Sequence, residues 1–381
     1  MIPYGRQDVT KDDIRSVVDV LESDFLTQGP VVPKFEKKIC EITQVSHSIA
    51  VNSCTSGLHI ACLALGLGRG DILWTSSITF VASANCALYC GAKVDFIDVD
   101  PDTALISIDN LKIKLLEAKR IGCLPKIVIP VHFAGQSCDM KEIHALGQEY
   151  GFKIIEDAAH AIGAKYYQMP VGSCQYSDIT VFSFHPVKIV TTGEGGACLT
   201  NDNNLANLMA RLRSHGITRN PEEMKNSKMD SWYYEQINLG LNYRMNDIQA
   251  ALGLSQLNRL EDYINKRAEI ALWYDRIFQD MSVNPLLKKN NRNSSNHLYI
   301  VRVEGSVALR DELFSHLKKE NIGVNIHYIP VYRHPYFNSK VRLEGAEKYY
   351  NSAITLPIFP NIGRKNLENI VQEIANFYEN N

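Results

Sequence analysis

Residues 178–200 read DITVFSFHPVKIVTTGEGGACLT, and this stretch decides the fold. The apolar run over 178–184 has the composition of a buried strand. Pro186 ends it by removing a ladder donor. Gly193-Glu194-Gly195-Gly196 then makes a tight turn into a returning strand, Ala197-Cys198-Leu199-Thr200, which is a hairpin signal. Lys188 therefore stands just past a strand's carboxyl end, where open α/β sheets bind ligands.

Upstream, short β-rich runs alternate with helical patterns, the mark of a layered α/β sheet. Strands are expected at 48–53, 71–76, 93–98, 126–132 and 152–156, and helices at 13–22, 34–43 and 57–65. Downstream the character changes. Ile248, Leu252, Gln256 and Leu260 open a single long helical pattern that runs to about Phe278. The polar segment 286–296 reads as a loop. A strand (298–304), a helix (309–320), a strand (GVNIHYI, 323–329) and a closing helix complete a smaller α+β lobe. The expected division is a large domain over 1–250 with an N-terminal arm and a small one over 251–381, with the active site between them.

Composition narrows the function classes. A chain of 381 residues suits two packed lobes, and 45% apolar with 22% charged residues is ordinary for a soluble protein. A net charge of −2 offers no electrostatic case for nucleic acid. No apolar run is long enough to span a bilayer, and the start MIPYGRQDVTKDD lacks a signal-peptide core. Nine scattered cysteines form no CxxC pair, and the nearest two, Cys86 and Cys90, read as packed thiols. Neither a disulfide framework nor a metal site follows, so a cytoplasmic enzyme is expected.

The chemistry is carried by what accompanies Lys188. Alone, it is a solvated loop lysine. Asp157 also ends an apolar strand and precedes Lys188 by 31 residues, about one β-α-β unit. It is either a helix N-cap or the partner of a cationic ring nitrogen. His160 either bonds Asp157 or shields a cofactor, or is a core histidine. Asn52-Ser53-Cys54-Thr55-Ser56-Gly57 joins a strand to a helix, and its hydroxyl and N–H groups suit a phosphate dianion as well as an ordinary cap. Ser183 lies on the strand leading to Lys188. Phe80 is either a ring-stacking aromatic or core. Lysine, carboxylate, phosphate cradle and flat aromatic are together what pyridoxal 5'-phosphate (PLP) requires.

An ordered series of segments resembles the DegT/DnrJ/EryC1/StrS sugar aminotransferases over nearly the whole chain. These are FLTQGPVVPKFE, NSCTSGLHIACLALG, TFVASANCALYCGAKVDFIDVD, PVHFAGQSCDM, IIEDAAHAIGAKY, SFHPVKIVTTGEGG, RLRSHG, LGLNYRMNDIQAALGLSQL and HLYIVRVE. The resemblance implies a fold type I PLP-dependent transferase, aspartate-aminotransferase-like, with a large mixed-sheet α/β domain and a smaller α+β C-terminal domain. It implies that Lys188 bonds the cofactor's aldehyde carbon, Asp157 holds the ring nitrogen, Phe80 stacks on the ring, and Cys54, Thr55 and Ser183 take the phosphate. It further implies that Asn242 reaches a neighbouring subunit's site in a homodimer. Tyr4, Asp24, Phe25, Leu26, Thr27, Asn325, Ile326, His327 and Tyr328 match substrate-contact positions, alongside Cys54, Ser183 and Asn242.

Substrates implied in this way are L-glutamate and a nucleotide-linked keto sugar. The branch most similar aminates C4 of UDP-2-acetamido-2,6-dideoxy-beta-L-arabino-hex-4-ulose; a GDP- or dTDP-linked, bacillosamine-type or 3-keto sugar is the alternative. Ser77-Ile78 and Cys54 depart from the common family pattern at positions that shape the pocket. Three rival readings fit less well. Sugar deoxygenases of this fold carry histidine where Lys188 stands. A nicotinamide oxidoreductase needs GxGxxG opening a helix, whereas TGEGGA precedes a strand. A non-catalytic regulator needs no sugar pocket.

Overall fold

The computed structural model describes residues 1–226 and 230–380. Its centre is a seven-stranded mixed sheet built from β1 (His47–Val51), β2 (Ile72–Ser76), β3 (Lys93–Ile97), β4 (Ile127–Ile129), β5 (Lys153–Asp157), β6 (Ile179–Ser183) and β7 (Gly196–Thr200). The spatial order is β1-β7-β6-β5-β4-β2-β3. β3, β2, β4, β5 and β6 run parallel, and β7 turns back antiparallel between β6 and β1. The hairpin expected around Gly193–Gly196 is thus the point at which a parallel sheet becomes mixed.

The central strands are apolar almost without alternation, because both sheet faces are covered. Ile127, Val128, Ile129, Ile155, Ile179, Val181 and Phe182 are all fully buried. Helices α1 (Lys11–Leu21), α2 (Val31–Thr43), α3 (Cys54–Ala64), α4 (Ala82–Tyr89), α5 (Ile108–Ile121), α6 (Met140–Tyr150) and α7 (Asn203–Arg213) accompany the sheet. Parallel pairing of β5 with β6 sets Asp157 opposite Val181. The carboxyl ends carrying Asp157 and Ser183 therefore emerge side by side at one edge.

The single helix expected from Ile248 to Phe278 is two helices, α8 (Asp247–Leu257) and α9 (Leu260–Ile277). The break at Asn258–Arg259 has a tertiary cause. The Arg259 guanidinium turns to the Asp13 carboxylate at 2.6 Å and the Tyr263 hydroxyl at 2.7 Å, while Gln256 donates to the Asp8 carbonyl and to Asp13. These ties hold α8 against α1, and α8 also packs on α2.

The smaller sheet comprises β8 (Val283–Pro285), β9 (Tyr299–Val303) and β10 (Ala353–Leu356), antiparallel throughout and packed with α10 (Val307–Lys319), α11 (Glu344–Ser352) and α12 (Arg364–Glu379). The strand expected at 323–329 does not form. Only Asn325 bridges, to Thr355, and the segment instead turns His327 and Tyr328 towards the large sheet's edge. The loop expected over 286–296 contains a two-residue ladder, Arg292–Asn293 against Lys165–Tyr166. Arg292 anchors it through Asp139 at 2.6 Å and the Tyr166 ring at 5.0 Å. Among the described residues no helix is long and apolar enough to cross a membrane.

Candidate active site

A cavity of about 900 Å³ opens where the carboxyl ends of β5 and β6, the N-termini of α3 and α4, and the 325–334 segment converge. Its walls include Lys188, Asp157, His160, Ser183, Cys54, Thr55, Phe80, Tyr4, Asn325, Ile326, His327 and Tyr328, so one enclosure gathers most of the residues singled out in the sequence.

Asp157 is 5% exposed. Its Oδ1 accepts from the Ala159 N–H at 3.0 Å and its Oδ2 from the Ser83 hydroxyl at 2.6 Å. Turns, not a helix, follow it, so it caps nothing. Ser83 sits three residues after Phe80 and also contacts the Thr79 hydroxyl at 2.7 Å, which ties the carboxylate to the first turn of α4. Phe80, the alternative of a core residue notwithstanding, is 58% exposed. Its ring lines the cavity, and among the described residues its one aromatic neighbour is Tyr328, at 6.1 Å.

At the other end, Ser53 caps α3 by accepting from the Ser56 N–H at 3.1 Å. The first helical N–H groups, at Cys54 and Thr55, have no intrahelical acceptor, and both residues line the cavity at the positive end of the helix dipole, an arrangement that suits an anion. Gly196 makes this approach possible. A Cβ there would lie 2.8 Å from Cys54 N and 2.9 Å from the Phe182 carbonyl.

Lys188 is half-buried in the turn beyond β6, its N–H donating to the His185 carbonyl at 2.9 Å. Burial pulls its amine down to about 8, opposed by Cys54 and Asp157. Burial, and then Lys188, hold His160 well below the usual imidazole range and His327 at about 3. The His160 ring lies 4.5 Å from that of His297, and its Nε2 pairs with the Tyr328 hydroxyl at 3.2 Å. His160 and His327 are thereby held neutral at physiological pH beside Lys188.

A phosphorylated pyridine aldehyde fits this arrangement. An amine, a buried carboxylate, an uncovered aromatic face and a helix N-terminus are present at once, and the Nδ1 atoms of His160 and His297 are buried without a protein partner.

Two groups lie elsewhere. Asp24, Phe25, Leu26 and Thr27 form an exposed run, held by the Asp247 N–H donating to the Leu26 carbonyl at 3.0 Å. Asn242 is exposed and bridges Ser214. Neither lines this chain's cavity. Sequence reading missed Ser83, Glu194, His185 and His334. Only Ser83 had a signal, its one-turn spacing from Phe80.

The model of the DegT/DnrJ/EryC1/StrS aminotransferase family matches residues 7–375. The chain belongs to that family. Among its relatives, the spore coat polysaccharide biosynthesis protein SpsC of Bacillus subtilis is 38% identical over 98% of this chain and 96% of its own. The UDP-4-amino-4,6-dideoxy-N-acetyl-beta-L-altrosamine transaminase of Campylobacter jejuni is 36% identical over 100% and 98%. The solved structure of Helicobacter pylori PseC, an aminotransferase involved in pseudoaminic acid biosynthesis, superposes with a TM-score of 0.91 at 32% identity and complete coverage of both chains. This DegT/DnrJ/EryC1/StrS member is accordingly a PLP-dependent sugar aminotransferase of the aspartate-aminotransferase-like fold.

Proposed function

We propose that this enzyme transfers the amino group of L-glutamate to C4 of UDP-2-acetamido-2,6-dideoxy-beta-L-arabino-hex-4-ulose. The product is UDP-4-amino-4,6-dideoxy-N-acetyl-beta-L-altrosamine, a step in making pseudaminic acid. The observation that carries the reading is the cavity holding Lys188 and Asp157 in a chain so similar to the C. jejuni transaminase and to PseC. The reaction acts in two halves, glutamate leaving as 2-oxoglutarate before the sugar is aminated, which predicts ping-pong kinetics.

PLP, when bound, supplies the electron sink and carries the amino group between the two substrates. The chain's residues do the rest. Lys188 anchors the cofactor and, once released, its neutral amine takes the proton from glutamate Cα and later returns one to sugar C4. Asp157, oriented by Ser83 and the Ala159 N–H, keeps the pyridine nitrogen protonated. Thr55, Cys54 and Ser183 take the phosphate, Phe80 lies against the ring, and His160 flanks it. Tyr4, Asn325, Ile326, His327 and Tyr328 form the sugar-facing wall.

Two copies make the working unit, with Asn242 of one completing the other's site and the Asp24–Thr27 run facing substrate across the interface. Both segments are exposed on the single chain, as that role requires. The test is a panel of UDP-, GDP- and dTDP-linked keto sugars offered with glutamate, each product identified by NMR. Preference for the UDP 4-keto sugar supports the reading, and preference for a GDP, dTDP or 3-keto substrate contradicts it.

A further inference from the structure

No residue of α11 lines the cavity, yet α11 holds one of its walls. Leu343, the N-cap of this helix, has no side chain able to accept from the first turn. The cap comes instead from Asp98, just past the carboxyl end of β3. Its two oxygens accept from the Gly345 and Ala346 N–H groups at 2.8 Å each, and a carboxylate suits the positive end of a helix. Gly345 permits this approach, since a Cβ there would run into the Val99 carbonyl. The large sheet thereby fixes α11 at its first turn.

From that base the helix grips the 325–334 segment twice. The Tyr349 hydroxyl, one turn beyond Gly345, donates to the His327 carbonyl at 2.5 Å, and no other donor reaches that carbonyl among the described residues. Glu347 accepts from the Tyr332 hydroxyl at 2.8 Å and from Arg333 Nε at 3.0 Å. Tyr349 is fully buried, its ring 5.8 Å from that of Phe133, which lies 6.1 Å from Tyr328 and 5.9 Å from His160. None of the bonds that hold Asp157 or the Lys188 turn involves α11.

We propose that Tyr349 is a positioning residue for the sugar half of the reaction, holding the His327–Tyr328 wall through the His327 carbonyl. This rests on the reading of 325–328 as the sugar-facing wall. Loss of the hydroxyl leaves a buried carbonyl without its donor, and the segment moves to find another. His327 and Tyr328 then shift against the sugar, while the lysine, the carboxylate and the phosphate cradle keep their own supports.

Tyr349→Phe is the direct variant, because it removes one oxygen and keeps the ring against Phe133. In a ping-pong reaction kcat/KM for each substrate reports its own half, so the two halves are read separately. Rates are measured on the holoenzyme with glutamate and the keto sugar that wild type prefers among the UDP-, GDP- and dTDP-linked panel. The expected result is a fall of about tenfold in kcat/KM for the sugar, with the glutamate value within about twofold of wild type. Loss of the cofactor's yellow colour on adding glutamate alone should keep its wild-type rate. Tyr378→Phe is the control. Its hydroxyl also donates to a backbone carbonyl, that of Ser282 at 3.1 Å, and it lies off the cavity, so it should move neither value. Asn325→Ala, in the wall itself, should lower the sugar value.

Equal losses in both halves, or the same sugar loss in Tyr378→Phe, overturn the proposal, because they mark a general loss of packing. A sugar value unmoved by Tyr349→Phe but lowered by Asn325→Ala overturns the proposal and spares the wall. A sugar value moved by neither overturns both.

Discussion

At Lys188 two demands conflict. The lysine must be near Asp157 for chemistry, yet an amine enclosed by protein favours its neutral form. Burial prevails and brings the amine to about 8 from an ordinary 10.5. The neutral amine is the nucleophile, and its share grows as pH rises. Capture of added PLP by the cofactor-free protein, followed by absorbance, should therefore quicken as pH rises through about 8 and level off above it. A profile centred near the ordinary lysine value would contradict this. The stability sign agrees: between those values the unfolded chain binds more protons, so the cofactor-free protein gains stability with rising pH in that window.

Asp157 gives the second residue-scale prediction. Asp157→Asn should fold and retain cofactor, yet lose about a hundredfold or more in kcat, since only a carboxylate keeps the ring nitrogen charged. Near-normal kcat would reduce Asp157 to the turn it forms with Ala159. That Lys188 and Asp157 share a cavity was legible in the sequence, because Asp157 ends one apolar strand and Lys188 follows another. Ser83, which orients the carboxylate across 74 positions of chain, was not, because nothing local reveals a tertiary partner.

The site's elements depend on how closely α3 approaches β7. Gly196 is the point of contact, and the atoms a Cβ would meet are backbone atoms of Cys54 and Phe182, which cannot swing aside. Gly196→Ala should cost about 1–3 kcal/mol in denaturant unfolding and weaken PLP binding at least tenfold by lifting the helix N-terminus. Unchanged PLP affinity would show that α3's position is not what holds the phosphate. Periodicity read the central strands correctly, because strands buried on both faces are continuously apolar. It failed at Asn258–Arg259 and at 323–329 for one shared reason. In both, distant partners (Asp13 and Asp8 in the first, the cavity wall in the second) override a locally regular pattern.

For the molecule as a whole, the exposed positions of Asn242 and of Asp24–Thr27 set the terms. If each site borrows Asn242 from another copy, Lys188→Ala and Asn242→Ala chains mixed by refolding together should complement. The mixed dimer keeps one intact site, so activity should return to about a quarter of wild type by random pairing. Activity no higher than the sum of the separate variants would contradict a shared site. The family and the large mixed sheet were legible from ordered motifs along the chain, whereas the proposed pairing of two chains rests on the resemblance and on residues that stand exposed in the single chain. The central claim, amino transfer to a sugar carbon at the Lys188 cavity, is tested most directly by giving the enzyme ¹⁵N-labelled L-glutamate with UDP-2-acetamido-2,6-dideoxy-beta-L-arabino-hex-4-ulose and following the label by NMR. The account predicts ¹⁵N on C4 of the sugar, equimolar 2-oxoglutarate, and neither with Lys188→Ala. Label that never reaches C4, or that reaches it equally well without Lys188, would contradict it.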